Sequence, residues 1–161
     1  MHEYPIALIC KNGHCISNHI NENRSEYQPF CELCGEETIF KCPSCGVPIK
    51  GNYYENFQAE VTDRYSRPLY CHNCGKSYPW TQSAISSTYN LILEDKRISA
   101  RTKEELKKAL PNIVIENSET VGASLKIKKA LKKLSKFGAE ALKQFVLDFA
   151  CELAAKLIGI R

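Results

Sequence analysis

A small α+β fold, short β-hairpins first and helices after, is predicted by three features of the 161-residue chain. Cysteine pairs at Cys-x2-Cys spacing recur in the first half, each followed at once by glycine. The segment between Cys45 and Cys71 is rich in strand formers. From Thr81 onward apolar residues recur every three or four positions, the period of a helix.

The cysteine pairs carry the most chemistry. In Cys42-Pro-Ser-Cys45-Gly and Cys71-His-Asn-Cys74-Gly, two thiolates wrap one turn of backbone round a metal ion, and the glycine supplies the positive φ that the turn requires. Cys31-Glu-Leu-Cys34-Gly has the same form. Cys10-Lys-Asn-Gly13-His14 reads as a fourth half-site in which imidazole replaces the second thiolate; Cys15 competes for that position but needs a looser Cys-x4-Cys loop. Four half-sites make two zinc-knuckle modules and two Zn2+ per chain, with Cys10, His14, Cys31 and Cys34 on one ion and Cys42, Cys45, Cys71 and Cys74 on the other. A cross-brace, Cys10/His14 with Cys42/Cys45 and Cys31/Cys34 with Cys71/Cys74, uses the same ligands. The seven residues between Cys34 and Cys42 favour consecutive units.

Composition narrows the setting. Nine cysteines without an apolar leader ahead of Cys10 point to a reducing cytoplasm, where thiols bind metal rather than form disulfides. Lys143, Asp148, Glu152 and Lys156 interrupt the most hydrophobic region, so no transmembrane segment is expected. The net charge of +4 is uneven: residues 1–80 carry 7 Lys/Arg against 9 Asp/Glu, residues 120–161 carry 9 against 3. The positive field therefore belongs to the tail and not to the metal-binding region.

In chain order, Tyr4 to Ile9 reads as a strand feeding Cys10, and Glu36 to Lys41 as a strand joining the two sites. Phe30 and Tyr70, each preceding a knuckle, are placed to lie over the metals. Strand formers from Asn52 to Val61 suit the central strands of a ribbon. Pro79 and Trp80 cap the second knuckle, and Thr81 is the expected N-cap of a helix bearing Ile85, Tyr89 and Ile92. A second helix opens on the capping box Thr102-Lys-Glu-Glu105 and stops before Pro111. The expected organisation is a tandem zinc-ribbon region over 1–80, helices over 81–110, a linker over 111–122 and a basic amphipathic helical region over 123–161, with Gly138 dividing the last. A helix from Ala139 to Ile158 would present Leu142, Phe145, Val146, Phe149, Leu153 and Leu157 on adjoining turns, a face that something must cover.

Cys10-x2-Gly-His14, Phe30-Cys-x2-Cys-Gly, Cys42-Pro-x-Cys45-x-x-Pro-Ile-x-Gly51 and Tyr70-Cys-x-Asn-Cys-Gly-Lys-x-Tyr-Pro-Trp-Thr81 resemble an uncharacterised bacterial domain-of-unknown-function family of small double-zinc-ribbon proteins. The resemblance spans residues 4–81 and extends more loosely to the C-terminal helix. It implies the same eight ligands, leaves Cys15 outside the pattern, and brings no activity with it.

Eight well-spaced ligands saturate two metals, leaving no open coordination position, so a structural role outweighs a catalytic one and no enzyme is expected. Of the remaining candidates, His19 and His72 read as solvated and Cys151 as a core thiol. Two functions of different class follow. One is a non-enzymatic adaptor, a zinc-stapled head with the C-terminal face Leu142–Leu157 for self-association or for docking a partner protein's helix. The other is a nucleic-acid or peripheral-membrane binder standing on Lys126, Lys129, Lys132, Lys133 and Lys136. Tyr53, Tyr54, Phe57, Arg64, Tyr65 and Arg67 offer a further stacking face for nucleic acid, or simply a small core.

Overall fold

A computed structural model describes residues 4–22, 24–52 and 65–160. It divides into two compact units, residues 1–82 and 83–161. In the first, β1 (Leu8–Cys10), β2 (Cys15–Ser17) and β3 (Thr38–Ile39) form an antiparallel sheet in the order β2-β1-β3. Gly13, at φ 92°, turns β1 into β2. The central strand is buried throughout, as a strand with neighbours on both sides requires. Around it Ala7, Ile9, Ile49, Tyr78 and Trp80 pack with the sulfur-bearing residues Cys42 and Cys71. The expected strand formers at 53–61, with Tyr53, Tyr54, Phe57 and Arg64, lie outside the described residues.

The helix α1 (Pro79–Glu94) starts three residues earlier than an N-cap at Thr81 implies. Proline at the first helical position has no N–H to leave unpaired and its φ is already helical. Thr81 is therefore inside the helix and not its cap; its hydroxyl donates to the carbonyl of Leu69 at 2.8 Å, and Trp80 donates its indole N–H to Pro68 at 2.9 Å.

The second unit holds α2 (Ala100–Val114), α3 (Thr120–Leu131), α4 (Lys136–Phe149) and α5 (Glu152–Ile158), with α3 packed most closely on α2 and α5. The cap of α2 is Ser99, whose hydroxyl accepts from the N–H of Thr102 at 3.2 Å, three residues ahead of the predicted box. The helix does not stop before Pro111 but runs through it to Val114, so the predicted linker at 111–122 is helical at both ends. A proline inside a helix costs about 3 kcal/mol, but Leu110, Ile113 and Val114 are buried around it, at roughly 1.5–3 kcal/mol each. Packing outweighs the break, and Pro111 itself faces solvent.

The predicted continuous helix from Ala139 to Ile158 is two. Ala150 and Cys151 are extended, and the Cys151 N–H donates to the carbonyl of Ile113 at 2.8 Å, fixing the corner to the end of α2. Those two residues reset the helical phase. In α5 the buried residues are Ala154, Ala155 and Ile158, while Leu153 and Leu157 are only partly covered. The face proposed for partners is correspondingly a core: Leu142, Phe145 and Val146 are buried within the chain and Phe149 stacks on Phe145. The half of the stripe on α4 is thus covered within the chain, where α4 packs on α2 and α3, while Phe149, Leu153 and Leu157 are partly covered.

Gly138 does not divide a helix. It sits in the first turn of α4, where a Cβ would stand 2.5 Å from the Asp95 carboxylate. Buried Asp95 accepts from the Ser135 N–H at 2.9 Å, the Ser135 hydroxyl at 2.6 Å and the Arg97 N–H at 2.9 Å. Burial alone would raise its pKa; the Ser135 and Arg97 hydrogen bonds outweigh that and hold it below the ordinary 3.8. A depressed carboxylate contributes stability that is present above its unfolded-state pKa and lost as pH falls through its folded one. Asp95→Ala is expected to lower the stability of the helical unit, read from urea denaturation by far-ultraviolet circular dichroism, by about 1–3 kcal/mol at neutral pH. The difference from wild type should shrink below about pH 4.

Candidate metal centres

Three backbone turns of one design build most of the two centres. In each, the first cysteine accepts at its carbonyl from the glycine N–H, Gly35 to Cys31 at 2.7 Å, Gly46 to Cys42 at 2.9 Å and Gly75 to Cys71 at 2.9 Å. The three glycines have φ of 73°, 75° and 72°. Each first cysteine also donates its N–H to the carbonyl five residues on, at 2.8 Å in all three, so the turn closes as a tiny hairpin. The first cysteine is buried and the second exposed in every case. The fourth half-site is one residue shorter before its glycine. Gly13 donates to Cys10 at 2.7 Å and the Cys10 N–H reaches the His14 carbonyl at 2.9 Å, which brings imidazole round to the sulfur.

The turns assemble sequentially. Cys10, His14, Cys31 and Cys34 form one cluster and Cys42, Cys45, Cys71 and Cys74 the other, with all donor atoms of a cluster within 4.8 Å of one another. In the second, Cys42 and Cys74 sulfurs are 3.8 Å apart and Cys45 and Cys71 sulfurs 3.7 Å. In the first, Cys10 and Cys34 sulfurs are 3.7 Å apart, and His14 Nδ1 lies 3.4 Å from the Cys10 sulfur and 3.7 Å from that of Cys31. A tetrahedron with metal–sulfur bonds of about 2.3 Å and a metal–nitrogen bond of about 2.0 Å has edges of about 3.8 Å and 3.5 Å. Disulfide sulfurs would stand at about 2.05 Å. The two clusters therefore fit metal ions and are not disulfides.

Thiolates need donors, and two asparagines to which spacing alone gives no role supply them. Asn12 aims its amide at the Cys34 sulfur at 3.5 Å and Asn73 at the Cys45 sulfur at 3.6 Å. Each lies two residues beyond the first ligand of the opposing half-site, Cys10 or Cys71. That shared offset was the available signal. Cys34, which accepts first from the Glu36 N–H, is drawn down to about 6. At Cys45 the Val47 N–H and then the Asn73 amide lower the thiol.

Of the aromatics expected over the metals, Phe30 is 61% exposed and Tyr70 is part-buried. The shielding ring is instead Tyr78, fully buried against Cys42 and Cys71 and stacked on Trp80 at 4.7 Å. Burial, and then the neighbouring Cys71 sulfur, raises its phenol pKa. Outside the clusters, His72 meets Tyr4 edge to face, and His19 Nδ1 lies 2.6 Å from the Asn18 side-chain oxygen. Cys15, on β2, is not in either group, and no further group appears among the described residues. Cys15→Ser should accordingly leave the metal content unchanged, whereas His14→Ala should remove one ion, as elemental analysis of the purified chain would show.

A small three-stranded sheet stapled by two four-donor clusters, followed by helices, defines an α+β protein with a double metal-binding module. The chain belongs to the bacterial family described as "Uncharacterized protein conserved in bacteria (DUF2321)", whose model matches residues 3–158. No curated protein and no solved structure matches it. No helix among the described residues is long and apolar enough to cross a membrane.

Proposed function

We propose that the protein is a non-enzymatic, cytoplasmic zinc-dependent interaction module, in which two structural Zn2+ ions hold a rigid head that contacts a protein partner. The observation that carries this reading is the saturation of both clusters by four protein donors. A catalytic zinc keeps one position for water or substrate; these tetrahedra leave none. Thiolate-rich donor sets with tetrahedral edges favour zinc over the harder, oxygen-seeking divalent ions.

We put the contact surface on the head rather than on the C-terminal stripe, whose Leu142, Phe145 and Val146 are buried within the chain. Leu33, at the tip of the Cys31 knuckle, is 74% exposed and Phe30 precedes it. Tyr27 and Phe40 meet edge to face nearby, with ring centroids 6.4 Å apart. Large apolar side chains on a metal-stapled turn lose little entropy on docking, which suits a protein contact. The test is affinity capture by the wild type and by Phe30→Asp/Leu33→Asp, with zinc measured in both. Two zincs in each protein, and a partner recovered only by the wild type, are expected. Fewer than two zincs in the wild type, or the same partners on both, would refute the reading.

A further inference from the structure

The helical unit carries a surface the head does not explain. Six lysines lie between Lys126 and Lys136 with no acidic residue among them. All six are exposed, and none enters an ion pair among the described residues. The buried side of α3 is Thr120, Ala123, Ser124, Ile127 and Ala130. At about 100° per residue, Val121, Leu125, Lys128 and Lys132 fall within a sector of roughly 60° clear of that buried side. Val121 and Leu125 are each 48% exposed, and Phe137, in the first turn of the next helix α4, is 71% exposed directly after Lys136.

We propose that this face docks on an anionic lipid bilayer, with Leu125, Val121 and Phe137 entering the headgroup boundary and the lysines meeting lipid phosphates and carboxylates. Charge complementarity selects a negative partner: the run is uniformly cationic, and each lysine near such a surface strengthens binding about fivefold. The apolar members select lipid over nucleic acid. A phosphate backbone makes no use of valine or leucine, and the absence of arginine from the run removes the side chain best suited to reading bases. Lysines surrounding exposed aliphatic and aromatic groups are what an in-plane amphipathic surface needs. This inference stands apart from the head and its zincs.

The test is sedimentation of the full chain with phosphatidylcholine vesicles, with and without phosphatidylserine, in low and high salt. The chain should pellet only with phosphatidylserine and be released by salt. Lys128→Glu/Lys132→Glu should reduce partition by more than about twentyfold. Leu125→Ser/Phe137→Ser should also reduce it, with far-ultraviolet circular dichroism showing both variants folded. In a Phe137→Trp chain, brominated lipid should quench the added fluorescence. No pelleting with phosphatidylserine, pelleting indifferent to Leu125→Ser/Phe137→Ser, or preferential binding of a duplex or single-stranded oligonucleotide would each overturn the proposal.

Discussion

Cys71→Ala is expected to leave one metal ion per chain, on the Cys10/His14/Cys31/Cys34 cluster, and to open the second cluster with the core packed on it while most of the helical signal persists. Cys71 is both a cluster member and part of the core, packed with Cys42, Ile9, Ile49, Tyr78 and Trp80. Binding at a structural zinc site of this size is folding free energy of order 10 kcal/mol, comparable to the whole stability of a small domain. Three donors left round the ion would not hold it at that affinity, and the shared core would open with it. The residues after Ser83 form their own compact unit, so α2 to α5 should survive. Elemental analysis, the red shift of Trp80 fluorescence and far-ultraviolet circular dichroism read the three parts separately. An intact Trp80 environment with one ion lost would show that the second cluster is dispensable to the fold.

Gly51→Ala should be the most damaging substitution away from the clusters, at about 3 kcal/mol or more. The residue is not glycine for the sake of a left-handed turn, since its φ is not among the positive ones. It is glycine because backbone crowds it. An added Cβ would overlap the carbonyl oxygen of Asn18 and lie 3.0 Å from that of Pro5, while Gly51 donates to Pro5 at 2.7 Å and Asn52 to Asn18 at 3.1 Å. Neither neighbour is a side-chain tip that could swing away. Gly35→Ala makes the contrast. Its Cβ would meet nothing within 4 Å, and only its φ of 73° opposes it, at about 1–2 kcal/mol. Urea denaturation followed by Trp80 fluorescence should rank Gly51→Ala well below Gly35→Ala; equal midpoints would refute the steric account.

The clusters were legible because their chemistry is local. A Cys-x2-Cys-Gly turn closes on its own hydrogen bonds, and the short spacer after Cys34 left the chain little freedom to cross-brace. His14 could be preferred to Cys15 for the same reason. The helical half was legible in its period and not in its phase. Nothing near Ala150 in the sequence breaks a helix; the break is made by a hydrogen bond to Ile113, distant in the chain. Nor could propensity show that burial of Leu110, Ile113 and Val114 would carry α2 through Pro111. Sequence position suggests Tyr70, one residue before a knuckle, as the ring beside the second cluster, but that ring is Tyr78, seven residues after Cys71. That placement depends on the turn into α1.

The buried-then-exposed order of each cysteine pair gives the centres a direction of exchange. A chelator or competing thiol arriving from solvent meets Cys34, Cys45 and Cys74, whereas Cys10, Cys31, Cys42 and Cys71 are anchored inside. In a loaded centre the second cysteine of each knuckle would be the ligand open to a competitor, while the first would stay under the core. Metal could then pass to and from such a centre by stepwise hand-over, without the chain first coming apart.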